Sequence, residues 1–353
     1  VEGFPAYYYT GQSVNTAGDV NGDGKDDFLI GSYTGDAATD STKSGITYLV
    51  FGASRSELGL TVDPADLDGT KGFRLNGENT EDYSAWSVNT AGDVNGDGYD
   101  DIVIGKPEHN NSHLPTTYVY FGKSGGFTAQ VELDSLDGHN GFALDGTPAD
   151  HHGWSVSTAG DVNGDGYDDI LIGTNIDWSN EGIIKSASKA GETWVVFGKA
   201  SGFSARTNLE SLNDTEGFRI EGIDKNDRAG YSVSTAGDVN GDGYDDIIIG
   251  APEAASKKGE SYVIFGGDFT GDSTVSSGSG EDLLWDTHSL SYSDSEYRGS
   301  PLTPGDTIYT LSETRDPCLG ETTPAVSSQG DSSDLLAQYA FIDSIEDDDQ
   351  QDG

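Results

Sequence analysis

The chain has one cysteine, Cys318, and no methionine among its 353 residues. A single thiol cannot close an internal disulfide, so Cys318 reads as a free thiol or as half of an intermolecular bridge. Basic residues are scarce: 18 Lys and Arg stand against 62 Asp and Glu, a net charge of −44. That balance excludes nucleic acid as a partner, because binding phosphates needs a basic face. It also means that self-repulsion opposes a compact state unless salt screens it or cations bind. No apolar run reaches 18 residues, so nothing reads as a membrane-spanning helix. P-loop and H-E-x-x-H patterns are missing. The six histidines (His109, His113, His139, His151, His152, His288) never recur at equivalent places. His109 and His113 sit among Asn110, Asn111 and Pro115, a loop composition, and neither they nor His151-His152 make a convincing zinc or acid–base pair. Starting at Val1 without methionine, the chain is expected to be a processed segment.

What is present is repetition. Asp19-Val20-Asn21-Gly22-Asp23-Gly24-Lys25-Asp26-Asp27 returns as DVNGDGYDD from Asp93, Asp161 and Asp238. Around each copy lie the same short runs. SVNTAG or SVSTAG precedes it, starting at Ser13, Ser87, Ser155 and Ser232. FLIG, IVIG, ILIG or IIIG follows it, and then TYLVFG, TYVYFG, TWVVFG or SYVIFG. GFRLNG, GFALDG and GFRIEG, starting at Gly72, Gly141 and Gly217, close the first three units. These β-branched and aromatic runs, bounded by Gly, Asn and Asp, read as four strands per unit. The 50 glycines suit the many turns required. A four-stranded sheet cannot bury both faces alone, so copies stack: the prediction is an all-β protein, a β-propeller of four-stranded antiparallel blades. Trp86, Trp154 and Tyr231, each two residues before the first-strand Val, are expected to pack between blades.

The fourth unit lacks a closing GF strand, while Gly3-Phe4 stands unassigned ahead of the first. Either that N-terminal strand closes a small ring, or the array stays open and another chain completes its edges. Residues 1–266 are thus expected to form the propeller and 267–353 an acidic, Ser/Thr-rich extension. The extension holds two basic and nineteen acidic residues and neither Asn nor Lys. Its composition is that of a disordered tail. Yet Leu283–Trp285, Thr307–Leu311 and Leu335–Ile342 are strand-like, so the alternative is contact with the propeller or with a neighbouring subunit, where the tail would add a strand to the open blade.

The nonapeptide has the side chains of a calcium loop. A hard dication takes six to eight oxygens. Positions 1, 3 and 5 supply them from Asp19, Asn21, Asp23; Asp93, Asn95, Asp97; Asp161, Asn163, Asp165; and Asp238, Asn240, Asp242. Position 7 offers a carbonyl (Lys25, Tyr99, Tyr167, Tyr244) and position 9 a last carboxylate (Asp27, Asp101, Asp169, Asp246). Glycine at position 6 allows the tight turn. The loop lacks the distal Glu of an EF-hand and is flanked by strands. About four Ca²⁺ are expected; Asx turns without metal are the plainer reading of the same residues. The position-8 acids Asp26, Asp100, Asp168 and Asp245 are expected to support the loop or cap a strand. A lone G-x-G-x-D-x-U fragment at Gly278–Leu284 is too short to form a stacked calcium repeat. Asn110 and Asn213 open N-glycosylation sequons.

The array resembles FG-GAP repeats, the units of integrin α-chain propellers and of many surface proteins. The matching pieces are Phe51-Gly52, Phe121-Gly122, Phe197-Gly198 and Phe265-Gly266, with the GAP element complete at Gly250-Ala251-Pro252. The resemblance implies a calcium-bearing propeller, an extracellular or cell-surface location, and a non-enzymatic adhesion or structural role. Its partner would be a further copy, another surface protein or a glycan. The alternative is a carbohydrate-binding module, with Tyr33 and Trp178 stacking on sugars, or an accessory domain of a secreted polysaccharide-active enzyme. Seven blades are usual in the integrin-like propeller; four are visible here.

Overall fold

The computed structural model describes residues 9–35, 43–54, 62–107, 113–147, 151–175, 190–223 and 226–267, single residues 56 and 269, and strands at 308–315, 322–329 and 339–341. Blade 1 is β1 (Ser13–Gly18), β2 (Asp27–Ser32), β3 (Ile46–Val50) and β4 (Gly72–Asn76), paired antiparallel in that order. Blade 2 is β5 (Ser87–Gly92), β6 (Asp101–Lys106), β7 (Thr116–Tyr120) and β9 (Gly141–Asp145). Blade 3 is β10 (Ser155–Gly160), β11 (Asp169–Gly173), β12 (Glu192–Val196) and β14 (Gly217–Glu221). Blade 4 opens with β15 (Ser232–Gly237), β16 (Asp246–Ala251) and β17 (Glu260–Ile264). The four-stranded antiparallel blades are therefore those expected. Among the described residues, helix is confined to single turns such as Leu133–Ser135 and Ala254–Lys257, and no helix is long and apolar enough to cross a membrane.

The strand sequences explain the packing. The middle strands are apolar on both faces because both are covered; β3, β7 and β12 are buried throughout. Three cores result, one per pair of adjacent blades. Leu29, Leu49 and Phe73 of blade 1 meet Val88, Ile104 and Tyr118 of blade 2. Val103, Val119 and Phe142 of blade 2 meet Val156, Ile172 and Trp194 of blade 3. Leu171, Val195 and Ile220 of blade 3 meet Val233, Ile249 and Ile264 of blade 4. First strands lie side by side, β1 by β5, β5 by β10 and β10 by β15; no comparable contact joins β15 back to β1. Trp86, Trp154 and Tyr231 pack against one another in sequence across the blades with tilted rings, at 4.7 and 5.7 Å between centroids, and Tyr33 meets Trp86 edge-on at 5.1 Å.

Two features stand outside the repeat pattern. Short strands β8 (Gln130–Glu132) and β13 (Arg206–Asn208) leave the third-to-fourth-strand connections of blades 2 and 3 and pair in parallel with the outer strand of the preceding blade, β4 and β9 respectively. Each ties one blade to the next at the rim. Arg206 on β13 donates Nε and Nη2 to both oxygens of Asp145 at 3.0 and 2.7 Å, and Nη1 to Glu78. The second feature is the edge of blade 4. Its outer strand is β20 (Tyr339–Phe341), antiparallel to β17 with Val263 opposite Ala340. The tail strand Tyr339–Phe341 thus pairs with blade 4 of its own chain. Thr307–Leu311 overlaps β18 (Ile308–Arg315), which forms a hairpin with β19 (Thr322–Gln329). Gly3-Phe4, Leu283–Trp285 and the Gly278–Leu284 fragment lie outside the described residues.

Candidate metal centre

Every nonapeptide begins at a bulge. β1 and β2 pair in step from Ser13–Gly31 to Thr16–Phe28, then shift so that Gly18 faces Asp27. The same shift occurs at Thr90/Gly92, Thr158/Gly160 and Thr235/Gly237. The threonine hydroxyl accepts the N–H of the glycine two residues on in each blade. A bulge bends the strand and turns the following residues out of the sheet plane, which lifts the loop clear of the blade.

Within the loop, side-chain oxygens are aimed by backbone N–H groups. Asp19 accepts from Asp23 N at 3.0 Å and Gly24 N at 2.8 Å. Asn21 Oδ1 accepts from Asp23 N at 2.8 Å, and Asp23 Oδ1 from Lys25 N at 3.0 Å. Blades 2, 3 and 4 repeat all four bonds within about a tenth or two of an ångström. The position-6 glycines hold φ of 82°, 89°, 89° and 97°, a left-handed turn that a Cβ would strain.

Position 9 does something the sequence did not disclose. Asp27, Asp101, Asp169 and Asp246 are buried. Each bridges its loop to the FG pair: Asp27 accepts from Val20 N at 3.1 Å and Gly52 N at 2.7 Å, and Asp101 from Val94 N at 3.0 Å and Gly122 N at 2.8 Å. Asp169 and Asp246 do the same with Val162 and Gly198, and with Val239 and Gly266. The FG glycine is thus a donor to the loop. Burial pushes the Asp27 carboxyl up to about 6, with Asp19 and Asp23 adding to the rise. Burial likewise takes Asp101 up to about 8 and raises Asp169 well above the usual carboxylate range, and Asp246 is raised for the same reason. Burial thus disfavours the ionised form of each position-9 carboxyl, and a cation placed beside it would favour that form.

The donor set is oxygen only, the chemistry a hard dication selects. Carboxylate oxygens that accept one N–H keep a second lone pair. The side chains are not, however, drawn onto one point: among the described residues no group of three His, Cys, Asp or Glu has metal-holding geometry.

At position 8 the acid supports a loop, that of the preceding blade. Asp100 Oδ2 accepts the N–H of Asp19, in the preceding blade, at 2.6 Å; Asp168 accepts from Asp93 at 2.7 Å, and Asp245 from Asp161 at 3.0 Å. The acid is a clasp between successive loops. Two histidines take structural places: His152 is buried and accepts from Trp194 Nε1 at 2.8 Å, and His113 Nδ1 lies 3.1 Å from Asp82 Oδ1. Gly122-Lys123-Ser124-Gly125-Gly126 spells a nucleophile elbow, but Ser124 lies in an exposed turn after β7, not between a strand and a helix. Asn213 is exposed, with Nδ2 donating to Glu216 at 2.6 Å. Asn110, His109 and Trp178 lie outside the described residues.

The FG-GAP repeat model matches four segments, 10–50, 85–122, 152–184 and 229–264, one per blade. The chain is an FG-GAP repeat protein. Its relatives include integrin alpha pat-2 of Caenorhabditis elegans, 32% identical over 205 residues, which cover 54% of this chain and 14% of that protein. Integrin alpha-V of Gallus gallus is 29% identical over 197 residues, 56% of this chain and 16% of the relative. Phosphatidylinositol-glycan-specific phospholipase D of Dictyostelium discoideum is 28% identical over 232 residues, 61% and 23% respectively. The chain spans less than a quarter of the length of each of these relatives.

Proposed function

We propose that this FG-GAP array is a calcium-stabilised, non-enzymatic propeller that works outside the cell or at its surface as an adhesion or structural subunit. The observation that carries the calcium reading is the fourfold recurrence of one oxygen-rich loop, each above a buried position-9 carboxylate. Turn formation alone does not require that acid to be buried. A bound dication offsets the charge at each loop and relieves part of the net −44. Residues 1–266 would be the binding body and 267–353 an extension that contributes an edge strand to blade 4. The adhesion role is supported by the likeness to integrin alpha chains. Calcium titration by calorimetry tests it: about four ions per chain are expected, and about three after Asp93→Asn with Asp97→Asn. A chain that takes up no calcium overturns the reading.

A second reading, an accessory domain of a secreted enzyme, is favoured by the phospholipase D relative alone. Binding of a phosphoinositol-glycan by the isolated chain, without hydrolysis, would support it against the first. Sugar stacking by Tyr33 is disfavoured, since that ring is engaged with Tyr9 at 5.4 Å and with Trp86.

A further inference from the structure

One position breaks the repeat in a way the calcium loops do not explain. The residue after the glycine of FLIG, IVIG, ILIG and IIIG is buried in every blade. It is Ser32, Thr174 and Ala251 in blades 1, 3 and 4, and Lys106 in blade 2. An ammonium in a seat built for a small side chain carries a desolvation cost. Lys106 meets Asp82, on the connection from β4 to β5 that carries the chain over the seam between blades 1 and 2. Nζ lies 3.3 Å from Asp82 Oδ1, with the two side chains 3% and 0% exposed.

The two oxygens of that carboxyl group are treated differently. Oδ2 accepts from Asn79 N at 2.8 Å and from Asn79 Nδ2 at 3.2 Å. Oδ1 has two nitrogens beside it, Lys106 Nζ and, from the connection between β6 and β7, His113 Nδ1 at 3.1 Å. Among the described residues neither stands in hydrogen-bond geometry to Oδ1. Lys106 thus lies against the carboxyl group without using its oxygen as an acceptor.

We propose that Lys106 and Asp82 condense to an intramolecular amide, a side-chain cross-link that fastens the β4–β5 connection to the end of β6. The parts of an acyl transfer are in place: an amine nucleophile, Cγ of Asp82 as its target, two N–H donors on the oxygen that stays and an imidazole beside the one that leaves. The Nζ–Cγ bond forms and the Cγ–Oδ1 bond breaks. The ammonium gives up two protons, one to free its lone pair and one as the tetrahedral intermediate collapses. Both end on Oδ1, which departs as water, with His113 Nδ1 as their carrier. Asn79 holds the charge that builds on Oδ2. No oxidant or second substrate enters. The product replaces two buried charges with a neutral amide, which removes the desolvation cost of the ion pair, and burial keeps back the water that would reverse the step. The bond encloses β5, the nonapeptide from Asp93 and β6 in one covalent loop, in a chain whose single cysteine closes no internal disulfide. The inference rests on neither the calcium reading nor the adhesion role.

Mass spectrometry of the full chain, folded and then denatured, tests it. The wild type is expected one water lighter than its sequence, and its protease digest is expected to hold a branched peptide joining the segment of Asp82 to that of Lys106. Lys106→Met with Asp82→Asn removes both charges together and is expected at its full sequence mass, with linear peptides across both positions. His113→Ala keeps both partners. Followed through cell-free synthesis, it is expected to lose the water about a hundredfold more slowly than the wild type, the lower end of what a positioned acid–base group contributes. A wild-type chain at its full sequence mass, or a water lost between other residues, overturns the proposal, and equal rates in the two chains overturn the part given to His113.

Discussion

Asp101 shows how much one residue type carries at different positions of the same nonapeptide. It is buried, yet it accepts the N–H groups of Val94 and Gly122. Asp101→Ala leaves both without an acceptor, and unsatisfied buried donors cost about 1–3 kcal/mol each. Denaturant unfolding of that variant is expected to show a loss of about 2–4 kcal/mol. Asp168, one position earlier in its own loop, holds the N–H of Asp93 across the seam at 2.7 Å. Asp168→Ala is expected to cost about 1–2 kcal/mol, the range of a single charge-assisted bond. Equal losses in the two variants would contradict this division of labour. The composition of the loop was legible because four copies fixed which positions are invariant within the chain. The separate tasks of positions 8 and 9 were not, because one partner lies in another blade and the other is the FG glycine, 21 residues downstream of Asp101.

At the scale of elements, the strands read from the sequence are those that form: SVNTAG is β1 and β5, and SVSTAG is β10 and β15. Their apolar, β-branched character and glycine boundaries announce them. The latch strands β8 and β13 escaped notice because QVE and RTN are three residues long and mostly exposed, with no apolar run to mark them. A signal was present in the recurring leucines after them, Leu133 and Leu136, and Leu209 and Leu212, all buried beneath the rim. β20 was only partly legible, since three residues of an apolar stretch pair with β17. The latch carries its own prediction. Arg206 bridges Asp145 and Glu78 from an exposed rim, so Arg206→Ala is expected to lower stability by about 1–2 kcal/mol, less at high salt. Loss of the salt dependence in the variant is the measurement that checks it.

For the whole molecule, the dominant fact is charge. A net −44 is spread over a chain whose loops bury four carboxylates in a ring of other acids. Inter-blade cores hold the sheets together, but they do nothing for the electrostatic cost at the loop end of each blade. On the proposed reading, cations bound there would reduce that cost and link stability to their concentration: a site at ten times its dissociation constant would add about 1.4 kcal/mol. Thermal unfolding in saturating calcium and in EDTA is therefore the most direct measurement. A melting temperature markedly higher in calcium, with magnesium far less effective at the same ionic strength, is the predicted result. Superimposable melts in calcium and EDTA would contradict the account.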